Sequence, residues 1–296
     1  QQEPKCLAAL CKQQGDPQMY DTFMRGKDLY SEIASVSFHR AYEDCLEFYL
    51  DENGNKTDKT NKEGKEYRSR AKSILLGVLY GRGEASIAEQ LGCSTDEASA
   101  IKASVFQGFP AIKEFESSSL QMARDLGYVT TVCGRKRRLP DLQLDAYEFK
   151  WKDGKSNPYD DPLDFDNISD NSVPDDICDY YWDKLMGARY NKDIKRIYEE
   201  ADREGVDIIS NRNKIANATR QCVNARIQGS AADLTKLAMI DLYHNERLKE
   251  LGFKVLIPVH DEVIAECPEE NAKECAKLLA ETMSKAAEKI LEMPIK

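Results

Sequence analysis

The chain has little of what zinc-binding, membrane-bound or uniformly basic proteins need. It contains three histidines in 296 residues, and its nine cysteines, at positions 6, 11, 45, 93, 133, 178, 222, 267 and 275, include no Cys-x-x-Cys pair. Zinc ribbons and fingers are thereby excluded, and three histidines are too few for a His-rich metal site. Scattered cysteines without a pairing framework fit reduced thiols in an intracellular compartment. No apolar run approaches the roughly 20 residues of a membrane span, and no basic-apolar-small leader opens the chain, so no membrane partner is expected. Positive charge is short as well, with a net balance of -10 at pH 7. A uniformly basic nucleic-acid binder is excluded on that ground, because phosphate neutralisation by Lys and Arg dominates such affinity.

What charge there is lies unevenly. Between Asp141 and Asp183 thirteen acidic residues stand against three lysines, whereas Arg135-Lys136-Arg137-Arg138 and the stretch from Arg189 to Arg226 are rich in cations. Local potential, not the sum, attracts an anionic partner. The length allows a sizeable core and two subdomains, given typical domains of about 100–150 residues.

The pattern reads as a mostly helical body. Pro17 opens a helical stretch expected to run towards Leu50, and Asp51-Glu52-Asn53-Gly54-Asn55 with the following Lys/Thr-rich run reads as an exposed turn. A helix from about Glu66 ends at Gly81-Arg82-Gly83. Ser94-Thr95-Asp96-Glu97 has the form of a capping box, and Pro110 that of the first residue of a helix leading to Gly127. Short strands should flank Gly134. From Asp141 the chain reads as an acidic loop and then as helix from about Asp176 to Glu204. Trp151, Trp182 and several tyrosines in this stretch argue that it folds against something. After Pro268, Ala272, Cys275, Ala276, Leu279 and Met283 form the apolar stripe of an amphipathic helix.

Two local patterns carry chemistry. Phe253 to Val259 and Glu262 to Cys267 are β-rich runs with almost nothing between them, which predicts a hairpin with Asp261 at its tip. A carboxylate on a rigid turn, between His260 and Glu262, suits Mg²⁺, which takes oxygen ligands and shares them with substrate phosphates. The same three residues also read as an ordinary polar turn. Upstream, Arg68, Lys72, Leu76 and Tyr80 recur every fourth position and form one slowly drifting helical stripe. Two cations, an apolar residue and an aromatic on one face fit a nucleoside triphosphate, with its phosphates on Arg68 and Lys72 and its sugar and base near Leu76 and Tyr80. The plainer reading is a solvated basic flank with Leu76 and Tyr80 in the core.

These blocks resemble a known family. Arg68-x-x-x-Lys72-x-x-x-Leu76-x-x-x-Tyr80-Gly81 is similar to the nucleotide-binding fingers helix of the DNA polymerase I family, family A. His260-Asp261-Glu262 resembles its second catalytic carboxylate motif. Arg220-x-x-x-Asn224-x-x-x-Gln228-Gly229-Ser230-Ala231-Ala232-Asp233 resembles its palm helix, and Gln1-Gln2-Glu3-Pro4-Lys5 the tail of its first catalytic motif. Gly26-Lys27-Asp28-Leu29-Tyr30, Gly127-Tyr128-Val129 and Gly134-Arg135-Lys136-Arg137-Arg138-Leu139-Pro140 match further blocks. They follow the family's order over nearly the whole chain.

The resemblance implies an α+β fold, a palm with a small antiparallel sheet and helices plus a mainly helical fingers subdomain, without thumb or exonuclease domains. Its parts would be 1–27 and 213–296 (palm), 28–140 (fingers) and 141–212 (an acidic, then helical insertion). The implied activity is that of a DNA-directed DNA polymerase, transferring deoxynucleotides from dNTPs to a primer 3′-OH on primer-template DNA with two Mg²⁺ ions, or Mn²⁺. The implied setting is the cytoplasm of a bacterial or phage-infected cell. Asp261 would be the metal ligand and Glu262 its support. Lys72 and Arg68 would bind the triphosphate, with Lys72 also a candidate general acid. Leu76, Tyr80, Tyr30, Glu3 and Gln1 would complete the nucleotide site, Glu3 as a steric gate against ribose. Arg220, Asn224, Gln228, His260 and Gly81 would meet the DNA.

The family's first metal-binding Asp would lie just before Gln1, so the resemblance implies a fragment, inactive alone and completed by an N-terminal polymerase segment or a complementing chain. Three positions depart from the family: Leu76 stands for Phe or Tyr, Tyr30 for a His common in bacterial enzymes, and Lys5 for Arg. Tyr30 suggests a phage-like subgroup. A single-subunit RNA polymerase, a metal nuclease and a catalytically inactive or split-subunit nucleic-acid-binding module are the rival readings.

Overall fold

The computed structural model describes residues 2–52, 54–152, 173–259 and 262–294. The first helix, α1 (Gln2–Gln13), is buried from Pro4 to Cys11. The single helix expected from Pro17 to Leu50 is instead α2 (Gln18–Met24), α3 (Leu29–Phe38), a 3₁₀ turn at Glu43–Cys45 and strand β1 (Phe48–Leu50). Gly26, at φ 72°, takes the left-handed conformation that interrupts the helix. Asp28 restarts it by accepting the Ser31 N–H at 2.9 Å. The Lys/Thr-rich run is not a turn but strand β2 (Lys56–Thr60), antiparallel to β1, where β-branched Thr57 and Thr60 suit extended backbone.

Helix α4 (Lys62–Leu79) starts earlier than Glu66 because Asn61 caps it, accepting the Gly64 N–H at 3.0 Å. Three helices follow: α5 (Glu84–Leu91), α6 (Thr95–Gly108) and α7 (Pro110–Leu126). The Ser94–Glu97 capping box is formed, and Gly127 closes α7 at φ 71°. Strands β3 (Tyr128–Thr130) and β4 (Lys136–Arg138) pair across Gly134. Beyond them lie β5 (Tyr147–Trp151), α8 (Asp175–Gly187), α9 (Asn191–Glu204), β6 (Val206–Ser210) and α10 (Arg212–His244). The chain continues with α11 (Glu246–Glu250), β7 (Lys254–Val259), β8 (Glu262–Glu266) and α12 (Ala272–Leu291). No helix among the described residues is long and apolar enough to cross a membrane.

The chain divides into two compact units, one of residues 1–139 with 219–296 and one of 140–218. In the first, helices surround α1, and Leu7, Leu10, Ile33, Ile74, Leu75, Phe109 and Phe115 are fully buried. Each such side chain stabilises by roughly 1.5–3 kcal/mol. Lys5 is buried here and donates to the Pro294 carbonyl at 2.7 Å. The second unit has its own core of Tyr147, Trp151, Tyr181, Leu185, Ile197, Val206 and Ile208. Its β5–β6 pair, Tyr147↔Ser210 to Trp151↔Val206, was not evident from sequence, and the expected helix from Asp176 to Glu204 is two, broken after Gly187.

Among the described residues the sheets are four separate antiparallel pairs. The predicted hairpin exists as β7–β8, paired from Lys254↔Glu266 to Val259↔Glu262, and an irregularity between Val255 and Ile257 leaves Leu256 as a bulge. Leu256, Ile257, Val259 and Ile264 are exposed.

Candidate nucleotide and nucleic-acid site

Helix α4 places its stripe along the margin of the core rather than in it. Ala71, Ile74, Leu75, Val78 and Leu79 face inward, while Arg68, Leu76 and Tyr80 are half-buried and Lys72 is exposed. The plainer reading, with Leu76 and Tyr80 inside the core, therefore fails for Leu76 and holds only partly for Tyr80, which packs against the core's edge.

Side chains from separate segments meet this stripe. The Tyr80 hydroxyl donates to Glu3 Oε2 at 2.6 Å, joining the end of α4 to α1. Gln228 of α10 also lies close enough to the Tyr80 hydroxyl to favour its ionised form, against burial and the Glu3 carboxylate, which oppose it. Burial pushes the Tyr80 phenol up to about 12, helped by the Glu3 carboxylate, so Tyr80 stays neutral and donates at physiological pH. Tyr30 is raised to about 12 for the same two reasons, burial first and Glu3 second. The Tyr30 ring lies 5.3 Å from the Arg68 guanidinium carbon and 6.0 Å from Lys72 Nζ, so both cations share one aromatic ring.

Arg68 is held from the other side by Asp28. Its Nε donates to Asp28 Oδ2 and its Nη2 to Asp28 Oδ1, both at 3.0 Å, and Glu47 Oε2 stands 4.0 Å from Nη1. Burial works to raise the Asp28 carboxyl. The Arg68 hydrogen bonds and charge, with the Ser31 N–H, outweigh it and hold the group below its usual value. Asp28 lies inside a block quoted above, yet its partnership with Arg68 was not anticipated. An N-cap Asp beside a predicted phosphate-binding Arg was the available signal.

On α10, Arg220, Asn224 and Gln228 fall on one stripe at four-residue spacing. Gly81 has φ +65°, and a Cβ there would stand 3.0 Å from Arg220 Cγ, so the end of α4 and α10 meet without room for a side chain. Asn224 Oδ1 is buried and has no hydrogen-bond partner among the described residues. Farther along, α10 carries a clamp that sequence reading missed. Asp233 accepts from Thr131 Oγ1 and Arg135 Nε, each at 2.6 Å, and Ser230 Oγ accepts the Val132 N–H at 2.8 Å. Arg135 Nη2 also donates to the Gly229 carbonyl at 3.0 Å. A Cβ on Gly229 would approach Thr131 Cγ2 to 2.7 Å, which explains the glycine before Ser230. Arg135 thus anchors the β3–β4 turn, leaving Lys136, Arg137 and Arg138 on an exposed strand.

Glu262 opens β8 and is exposed. Gln1, His260 and Asp261 lie outside the described residues. Among the described residues no group of three or more His, Cys, Asp or Glu side chains could hold a metal ion, and all nine cysteines are free thiols.

The model of DNA polymerase family A matches residues 1–154 and 178–296. The thermostable DNA polymerase I of Thermus thermophilus is 28% identical over 282 residues, 95% of this chain and 23% of the relative. DNA polymerase I of Geobacillus stearothermophilus is 26% identical over 281 residues, 95% of this chain and 22% of the relative. The chain thus spans less than a quarter of the length of these curated relatives. A solved POL domain of Pol1 from M. smegmatis, in complex with DNA primer-template and dNTP, superimposes with a TM-score of 0.60 at 25% identity, covering 97% of this chain and 35% of that one.

Proposed function

The chain belongs to DNA polymerase family A, and from that premise we propose that it forms the nucleotide-binding and duplex-gripping part of a template-directed DNA polymerase. The observation that carries this reading is the meeting of Glu3, Tyr80 and Gln228 from three separate segments beside the cations of α4. A chain folded for another purpose has no evident reason to hold a carboxylate, a neutral phenol and an amide there.

In this reading Arg68 and Lys72 take the triphosphate of an incoming dNTP. Two fixed cations stabilise the charge that develops on the leaving pyrophosphate, and Lys72 can deliver a proton to it. Leu76 and Tyr80 border the sugar and base. The Tyr80 hydrogen bond holds Glu3 where it obstructs a ribose 2′-hydroxyl, and Tyr30, neutral at physiological pH, backs both cations. Arg220, Asn224, Gln228 and Gly81 follow the primer-template duplex, whose groove edges offer donors to the unpartnered Asn224 Oδ1. His260 belongs to the primer terminus, Gln1 to the nucleotide site, and Asp261, supported by Glu262, to Mg²⁺ or Mn²⁺. The described donors do not by themselves fit two such ions, since Glu262 is exposed and Glu3 is engaged by Tyr80.

The proposed division is palm at 1–27 and 213–296, fingers at 28–140, and an insertion at 141–212 that contains the residues 155–177 left unmatched by the family model. A phage-like subgroup, carrying Tyr30, and the cytoplasm complete the reading. So does an N-terminal segment, or a complementing chain, that brings the first catalytic carboxylate.

Primer extension on a recessed-end duplex with Mg²⁺ and the four dNTPs tests this, comparing the chain with one extended upstream by the segment bearing that carboxylate. Synthesis by the extended chain, abolished by Asp261→Ala, is the expected result. Silence from both would point to an inactive or split-subunit nucleic-acid-binding module, to be followed by salt-dependent DNA affinity.

A further inference from the structure

We propose that Asp28 is a positioning residue for triphosphate binding, gripping the inner edge of the Arg68 guanidinium so that its outer edge is presented beside Lys72. The inference rests on the reading of Arg68 and Lys72 as triphosphate ligands and adds a residue to it. Of the five N–H groups of a guanidinium, Asp28 takes the Nε hydrogen and one from Nη2. Glu47, 4.0 Å from Nη1, is beyond hydrogen-bond reach. The Nη1 hydrogens and the outer Nη2 hydrogen remain, enough for a forked contact with phosphate oxygens while the aspartate pair stays closed.

The grip is rigid because Asp28 is itself fixed. Its carboxylate accepts both the Ser31 N–H and the Ser31 hydroxyl at 2.9 Å as the cap of α3, and its own N–H donates to the Tyr42 hydroxyl at 2.9 Å. Two residues on, Tyr30 lays its ring against Arg68 and Lys72 together. A bidentate pair on one edge and an aromatic ring centred 5.3 Å from the guanidinium carbon leave a long side chain few rotamers. The entropy of ordering Arg68 is therefore lost on folding and not again when the ligand arrives.

Asp28 could instead matter only as a helix cap, so the test separates the two roles. Asp28→Asn keeps a good cap but removes the charge and one of the two acceptors facing Arg68. Asp28→Ser keeps a cap and removes both acceptors. Binding of inorganic tripolyphosphate to this chain is measured by calorimetry in metal-free buffer, together with KM and kcat for dATP in the polymerase that contains it. Both variants are expected to weaken tripolyphosphate about tenfold, equivalent to about 1.4 kcal/mol, and to raise KM more than they lower kcat. In an Arg68→Ala background neither should weaken it further. If Arg68→Ala itself binds tripolyphosphate like the parent, the assignment of Arg68 as a ligand falls. If Arg68→Ala loses binding while Asp28→Asn and Asp28→Ser retain it, the positioning role alone is overturned. Equal loss from Asp28→Ser in the parent and Arg68→Ala backgrounds would overturn it too, since the aspartate would then act without the arginine.

Discussion

Arg135 with Asp233 and Arg68 with Asp28 are the same pair of residue types in one unit, yet they are built for different ends. Asp233 is nearly inaccessible, with 8% of its side chain exposed, and it is shared between Thr131 and Arg135, whose guanidinium also holds the Gly229 carbonyl. Arg135 is bound to backbone and side chain together and fixes a turn. In the other pair both side chains are about one-fifth exposed, and the guanidinium hydrogen-bonds only the Asp28 carboxylate, with Glu47 Oε2 4.0 Å from Nη1. An arginine that satisfies a backbone carbonyl is architecture; one held along a single edge by a carboxylate is available to an anion.

Removing the buried Asp233 should do the most damage. Asp233→Ala removes an acceptor from the Thr131 hydroxyl and the Arg135 guanidinium, and about 3 kcal/mol of stability should go with it, read as a lower Tm and urea midpoint. Next comes Gly229→Ala, whose methyl would meet Thr131 Cγ2 at 2.7 Å. Relieving that overlap should cost about 2 kcal/mol in the same assay and loosen the Arg135 contact.

The Arg68–Asp28 pair should respond less to melting and more to pH. The Asp28 carboxyl is held below its usual value in the folded chain, so its contribution is present above the unfolded pKa of about 3.9 and is lost as pH falls through the lower folded value. Asp28→Asn should therefore be less stable than the parent at pH 7 by about 1 kcal/mol, and the gap should close below about pH 4. Urea titrations at pH 7 and pH 3 check this, and an unchanged gap at pH 3 would assign the stability difference to the cap. The smallest effect is expected for Tyr80→Phe, which removes one hydrogen bond to Glu3 at about 1 kcal/mol or less. Its sharper readout is the ratio of ribonucleotide to deoxynucleotide incorporation, expected to rise as Glu3 loses its tether.

What could be read from the sequence was what local chemistry decides. The capping box at Ser94 and Glu97, the Pro110-to-Gly127 helix, the strands around Gly134 and the hairpin after Phe253 are each set by residues within a few positions of one another. The α4 stripe was visible from its four-residue spacing, although only packing shows it at the core's margin. The missed features are non-local. Tyr147 pairs with Ser210, Arg68 with Asp28 and Thr131 with Asp233 across long stretches of chain, and nothing in either partner's neighbourhood names the other. The break at Gly26 is a different failure: a helix-compatible run of apolar residues outweighed one glycine and the aspartate that follows it.

The bulge at Leu256 has a geometric consequence for the hairpin. Strand side chains alternate faces with period two, so one extra residue in β7 reverses the phase between the base of the ribbon, Lys254 and Val255, and its outer half, Ile257 to Val259. The two halves are geared separately: substitutions that re-seat the base leave the parity of Ile257 to Val259 untouched, while deletion of Leu256 alone would turn one half over against the other.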